Sequence, residues 1–280
     1  MLATDAADYA ASDWIARSRV RIDRHLDQLL ASAHPSPVME AMRYSVLAPG
    51  KRVRPLLTLA VADCLAGNED AALQVGCAIE MIHCASLILD DLPCMDNDRE
   101  RRSRLCTHVA YGESLTILAA VSLLTQSQCI IASDDGLNGE LRLKLIQLLC
   151  HTVGPSGLSL GQYHDLNARG DKQSAAAITD IHHLKTGVLF LAAARAGCLV
   201  SHASPEQEES VMRFATHVGL AFQLRDDMKD KGEAAPNLVA RIGVSSAERR
   251  LADYMQAAED ALAGEANTLA LRQFAAAFFQ

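Results

Sequence analysis

Residues 72–89 read ALQVGCAIEMIHCASLIL and run directly into Asp90-Asp91, with Pro93 two positions on. Only Gln74, Glu80, His83 and Ser86 interrupt the apolar run. The segment is too long for an ordinary strand and is apolar around most of a helical circumference. Such a helix hides its surface only when other helices ring it, or when a second copy covers one side. The rest of the chain supplies the ring. Apolar positions recur at helical spacing over 17–30, 55–65, 114–131, 139–152, 179–200 and 205–228. Alanine and leucine abound, and aromatic residues are only 4%. Both favour helix over sheet. Breaks fall where Pro, Gly, Asn and Asp gather, at Pro35 and Pro37, Pro49-Gly50, Gly67-Asn68, Asp134-Asp135-Gly136 and Gly154-Pro155. No linker or low-complexity tract divides the 280 residues, so one all-α domain over 1–280 is expected.

Charge narrows the partners. Lys and Arg total 26 against 34 Asp and Glu, a net charge of −8. An acidic chain is poorly suited to nucleic acid, so any polyanionic substrate must meet local basic clusters or metal ions. The eight cysteines form no CxxC pair, and Cys64, Cys77 and Cys150 sit in apolar helical runs as reduced thiols. The first residues, MLATDAADYAASDW, lack an apolar signal core. A cytoplasmic protein without a transmembrane segment is the expectation, because no apolar run approaches the roughly 20 residues that span a bilayer.

Two acidic clusters close apolar helices. In the first, Asp90 and Asp91 end the long run, and Pro93 must bend the chain if Asp96 is to rejoin them. Carboxylates at a helix C-terminus face the negative end of the dipole and repel each other, and a cation relieves both effects. In the second, Asp226, Asp227 and Asp230 follow the apolar stretch 218–224 and share one helical face. A lone acidic pair is usually a solvated surface feature. Two clusters at matching helix ends suit opposite walls of a magnesium site, since magnesium takes few carboxylates, several waters and phosphate oxygens. Basic segments accompany them. Gly50-Lys51-Arg52-Val53-Arg54-Pro55 is a cationic turn entering a helix, where free N–H groups attract anions. Arg99, Arg101, Arg102 and Arg104 follow the first cluster and supply guanidinium forks that match phosphate. Lys185-Thr186 is a polar insertion in an apolar run, and Gln162 and Asp165 follow a glycine-rich turn as supporting groups.

This ordered series resembles the trans-isoprenyl diphosphate synthases, most nearly the bacterial geranylgeranyl diphosphate synthases of carotenoid type. GKRVRP at 50–55, EMIHCASLILDDLPCMD at 80–96, Arg101-Arg102, GLSLGQYHDL at 157–166, KTGVLF at 185–190 and FQLRDDMKD at 222–230 carry the likeness. The resemblance implies an all-α isoprenoid-synthase-type bundle around a deep central cavity, assembled as a homodimer. It implies that Lys51, Arg54, His83 and Arg102 bind the diphosphate of isopentenyl diphosphate. Arg101, Lys185, Thr186 and Gln223 would bind the allylic diphosphate, and Asp90, Asp91, Asp96, Asp226, Asp227 and Asp230 would hold magnesium, three ions per site. Asp90, Asp91, Asp96, Asp226, Asp227 and Lys185 form the implied catalytic set.

Product length follows cavity depth. Ala85 and Ser86 are small where farnesyl-type relatives carry an aromatic at the position of Ala85, which points to a C20 product, and Ala85→Phe or Tyr should shorten it. The pattern departs from the family after Arg102, where Ser103 and Leu105 replace Gly and Pro, and after Asp230, where most of a Gly/Lys-rich loop is missing. These departures keep two alternatives in view, a farnesyl diphosphate synthase and a weakened homologue serving as a dimer partner. A class I terpene cyclase would need a different second metal motif.

Overall fold

The computed structural model describes residues 2–31, 35–168, 174–229 and 237–279, with side chains from Asp13 onward. Fourteen α-helices appear among them: α1 Leu2–Leu29, α2 Pro37–Val46, α3 Val53–Cys64, α4 Glu69–Asp90, α5 Thr107–Tyr111, α6 Glu113–Ala132, α7 Gly139–Val153, α8 Leu158–Asn167, α9 Ala175–His182, α10 Val188–Val200, α11 Pro205–Lys229, α12 Leu238–Ile242, α13 Val244–Ala261 and α14 Leu269–Phe279. A π-turn at His183–Gly187 joins α9 to α10, and a hairpin of β1 Glu100–Arg101 with β2 Arg104–Leu105 follows the first acidic cluster. The all-α expectation holds.

The starts of these helices are written in the sequence. Ser36 accepts from the Met39 N–H, Asn68 from Asp70 and Ala71, Asn138 from Leu141, and Asn237 from Ala240. Each satisfies a donor that the first turn leaves free. The expected long apolar run is α4, which packs on α3, α6 and α10 at the centre of the bundle. Its neighbour α3 is buried at every position but Asp63. Close approach of α3 to α10 depends on Gly197, because a Cβ there would lie 2.7 Å from Val61. Thr58 Oγ1 donates to the Ala193 carbonyl at 3.0 Å and ties the same two helices. A smaller cluster of Ile178, Leu224, Leu238 and Ala247 joins α9, α11, α12 and α13.

The membrane expectation needs correcting. Three helical stretches, Glu69–Asp90, Glu113–Ala132 and Ala175–Val200, are long and apolar enough to cross a membrane by length and composition. Isolated polar residues such as Glu80 and His83 break the apolar runs without lowering their mean hydropathy far enough. In α4, 72% of the most apolar stretch is buried inside the protein, whereas in α6 only 39% is. Ile117, Leu118 and Val121 leave an exposed apolar face on α6.

Candidate active site

The centre of the site is α4, which presents different chemistry on two sides. Glu80, His83 and Leu87 line a crevice of about 830 Å³. Ile82, Ser86 and Leu89 line a cavity of about 390 Å³. At about 100° per residue these sets form two adjacent stripes, and Asp90, one turn beyond Ser86, falls between them. The helix is thus a wall between a polar and an apolar compartment. Its terminal carboxylate, Asp90, lines the apolar cavity.

The polar crevice is cationic. Lys51 and Arg52 enter from the turn before α3, Arg54 from the first turn of α3, Arg101 and Arg102 from the hairpin, and Thr186 from the π-turn. Phe222, Gln223 and Asp226 enter from α11. Eight expected binding or metal residues therefore meet in one place: Lys51, Arg54, His83, Arg101, Arg102, Thr186, Gln223 and Asp226. The hairpin delivers Arg102 by an unusual turn. Both Arg102 and Ser103 are left-handed, at φ 54° and 58°, as a two-residue turn between twisted strands requires. Arg102 Nη1 donates to the Pro49 carbonyl at 3.2 Å, so the hairpin and the turn before α3 are tied. Burial, together with Arg54 and Arg102, holds the His83 imidazole well below its ordinary range and therefore neutral near pH 7.

Sequence reasoning missed two supports. Lys51 Nζ stands 5.5 Å from the Phe222 ring centroid, and the Arg54 guanidinium 5.9 Å from that of Phe190. The rings touch at a centroid distance of 5.2 Å. Cations over aromatic faces gain attraction without a counter-charge that would compete with a bound anion. Both phenylalanines lie inside the quoted motifs, but no spacing rule singles them out.

The apolar cavity lies between α4, Leu124 of α6, Val153 of α7 and Leu158 of α8. Gln162 lines it with an amide that has no protein hydrogen-bond partner. Lys185 guards its mouth. It sits in the π-turn, a feature frequent at functional sites. Lys185 Nζ donates to Asp165 Oδ2 at 2.6 Å and stands 3.9 Å from Asp90 Oδ2. Asp165 thus supports Lys185, as its place in the sequence suggested. This packing needs Gly161, because a Cβ there would come within 2.6 Å of the Leu184 and Lys185 backbone. Ser86 lines the cavity. Ala85 is completely buried and does not line it.

The carboxylates divide by partner. Asp90 is pushed up to about 6 by burial and by the charge of Asp96, against the opposing pull of Lys185. The chain returns after Pro93 as expected, with the Asp96 N–H donating to the Asp90 carbonyl at 2.8 Å. Asp91 holds Arg101 through Nε at 2.7 Å and Nη2 at 2.6 Å. Asp227 is buried, accepts from the Leu238 N–H at 2.7 Å and stands 3.7 Å from His182 Nε2. Asp230 lies outside the described residues. Among the described residues, no three His, Cys, Asp or Glu side chains already form a metal cage. Magnesium needs no such cage, since one or two carboxylates serve when substrate oxygens and water complete the shell. Asp90, buried and with Lys185 as its only ion-pair contact at 3.9 Å among the described residues, is a donor suited to that chemistry.

A cationic crevice and an apolar cavity on two faces of one helix define a protein built to hold an amphiphile with an anionic head. Comparison with known proteins agrees. The polyprenyl synthetase family model matches residues 35–238, and the chain belongs to that family. A geranylgeranyl diphosphate synthase of Pantoea ananas is 40% identical over 274 residues, covering 93% of this chain and 88% of that one. A farnesyl diphosphate synthase of Geobacillus stearothermophilus is 40% identical over 211 residues, covering 75% and 70%. The crystal structure of an FPP/GFPP synthase from Zymomonas mobilis superposes with a TM-score of 0.91 at 31% identity, over 98% of this chain and all of that one.

Proposed function

We propose that this chain is a trans-prenyltransferase of geranylgeranyl diphosphate synthase type. It joins isopentenyl diphosphate to an allylic diphosphate, with farnesyl diphosphate as the last primer. The observation that carries the reading is the double face of α4, with a cationic crevice on one side and, on the other, an apolar cavity lined by Asp90 and Lys185.

In this reading Lys51, Arg54, His83 and Arg102 hold the isopentenyl diphosphate. Arg101, Lys185, Thr186 and Gln223 face the allylic diphosphate, whose hydrocarbon tail descends past Ser86. Asp90, Asp96 and Asp226 are the donors for magnesium, with three ions as the proposed count. Asp91 and Asp227 fix Arg101 and α12 in the arrangement seen. When bound, magnesium neutralises the allylic diphosphate so that it can leave. The cationic side chains stabilise the charge that develops on the departing diphosphate as the C–O bond breaks. The apolar walls keep the allylic cation from water. The isopentenyl double bond supplies the electron pair for the new carbon–carbon bond, and a proton leaves from the adjacent carbon. The departing diphosphate is the base, because no protein carboxylate of the apolar cavity other than Asp90 lies among its described lining residues.

The proposal extends to one functional domain over 1–280, a cytoplasmic location and a homodimer that covers the exposed face of α6 at Ile117, Leu118 and Val121. The test is product analysis. The purified chain, isopentenyl diphosphate, farnesyl diphosphate and magnesium are expected to yield a C20 diphosphate. A C15 product from geranyl diphosphate with no further extension would favour the farnesyl reading, and silence with every primer would favour the non-catalytic one.

A further inference from the structure

Beneath the cationic crevice lies a chain of charges that the reaction does not use directly. Arg52 sits just before α3 in left-handed backbone, φ 51°, and its side chain is 2% exposed. Left-handed conformation is unfavourable for a residue with a Cβ. Three contacts hold it there. Nε donates to Asp23 Oδ1 of α1 at 2.7 Å, Nη1 to Glu80 Oε1 of α4 at 3.2 Å, and Nη2 to the Ala48 carbonyl at 3.0 Å. Glu80 is 2% exposed, and its second oxygen has no protein hydrogen-bond partner. Arg54 Nε, also buried and on the same crevice, has none either.

A carboxylate buried among arginines is costly to desolvate, and hydrophobic packing serves stability as well or better. Here the carboxylate does something packing cannot. Lys51, Arg54 and Arg102 repel one another across the crevice, and the turn 49–52 holds no helix or strand that could fix them. Pinning Arg52 on α1, on α4 and on its own turn fixes the backbone from which Lys51 and Arg54 project. Glu80 also places a negative charge that favours the buried, charged Arg54 guanidinium, which lines the same crevice.

We propose that Asp23, Arg52 and Glu80 form a positioning unit that sets Lys51 and Arg54 for the isopentenyl diphosphate. None of the three is a catalytic residue. Through this unit α1 reaches the substrate pocket from outside it. The proposal rests on the reading of the crevice given above.

The sign of one substitution separates positioning from bulk electrostatics. Removing a negative charge beside a polyanion site would tighten binding if only the net field mattered. Positioning predicts the opposite. With the full-length enzyme and each substrate varied at saturating levels of the other, Glu80→Gln is expected to raise KM for isopentenyl diphosphate by about tenfold or more. KM for farnesyl diphosphate should stay within about twofold, and kcat should change far less than the isopentenyl KM. Asp23 is half exposed, so Asp23→Asn spares the core and is expected to shift the same KM in the same direction by about threefold. Arg52→Lys, which keeps the charge but not the three-way contact, should follow Glu80→Gln. If Glu80→Gln does not fold by circular dichroism, Asp23→Asn decides alone. An isopentenyl KM that falls or holds still, or two KM values that rise together, overturns the proposal. Lys51→Ala is the control for the underlying reading. If it leaves the isopentenyl KM unmoved, the assignment of the crevice fails. If it raises that KM while the other variants do not, only the positioning unit fails.

Discussion

Replacing Ser86 by phenylalanine tests the link between cavity depth and product length. Ser86 lines the apolar cavity one turn above Ile82, and both face the same compartment. A ring at 86 raises the lowest obstacle on α4 by four residues, about 6 Å of helix. That is roughly the length of one extended isoprene unit, so the chain should stop one unit earlier, at C15 instead of C20. The energy can be estimated. Excluding five carbons from an apolar site forfeits about 4 kcal/mol at ~0.8 kcal/mol per carbon. At about 1.4 kcal/mol per tenfold, kcat/KM for farnesyl diphosphate as primer should fall by about 10³, with geranyl diphosphate little affected. Ser86 Oγ donates to the His83 carbonyl at 2.9 Å, and losing that bond costs about 1 kcal/mol, so the enzyme should remain folded. The assay is incubation with each allylic primer in turn, separation of products by length, and a thermal melt of the same preparation. Undiminished C20 output, with farnesyl kcat/KM within about tenfold of the parent, would refute the argument that this compartment holds the growing tail.

Three further outcomes follow. Asp90 has its carboxyl pushed up to about 6 from 3.8, so the folded chain takes up the proton more readily than the unfolded one. Its contribution to stability is complete below the unfolded value and is lost as pH rises through about 6, which amounts to about 3 kcal/mol in full, roughly half of it between pH 8 and pH 5. Urea unfolding of the magnesium-free protein should therefore show Asp90→Asn stabilising it by more at pH 8 than at pH 5, and an equal effect at both would sink the idea. Ser103→Gly should raise the melting temperature by about 2–4 °C, because glycine enters left-handed backbone without the penalty of about 1 kcal/mol that serine bears at φ 58°. Gly161→Ala pushes a methyl into the backbone of Leu184 and Lys185, so it should destabilise by about 1–3 kcal/mol and lower kcat, read by melt and by turnover.

How much of this was legible beforehand depends on the type of residue. The long helices were, since α3, α4, α6, α7 and α11 fall within two or three residues of their apolar runs. The run 179–200 hid a π-turn, because the period of apolar residues changes little when one turn widens around Lys185 and Thr186. The short helices α5 and α12 and the hairpin were not legible. Their conformation comes from left-handed turns at Arg102, Ser103 and Gly243 and from the clasp of Asp227 on Leu238. At the site, charge told which residues gather but not which partners they take. Ala85 and Ser86 are neighbours of similar size, yet only Ser86 reaches the cavity. For Ala85→Phe the structure places the new ring in packed core, so its first expected effect is lost stability.

The carboxylates show why spacing alone could not resolve roles. Asp91 and Asp227 belong to adjacent pairs with Asp90 and Asp226, and the members of each pair are chemically identical. A helix sends neighbours about 100° apart, so the two members of a pair meet different surroundings: Asp90 lines the apolar cavity and Asp226 the crevice, while their neighbours turn elsewhere. Asp91 therefore meets Arg101, and Asp227 meets the first N–H of α12. These contacts are as useful as direct ligation would be. The Asp91 pair anchors a guanidinium that lines the crevice, and the Asp227 contact fixes where the chain resumes after the second acidic motif. In the reading proposed above, each acidic pair acts as a joint unit, one carboxylate offered to the ligand and the other holding the wall in place. Losing the outward member should cost metal affinity, whereas losing the inward member should cost order in Arg101 or α12.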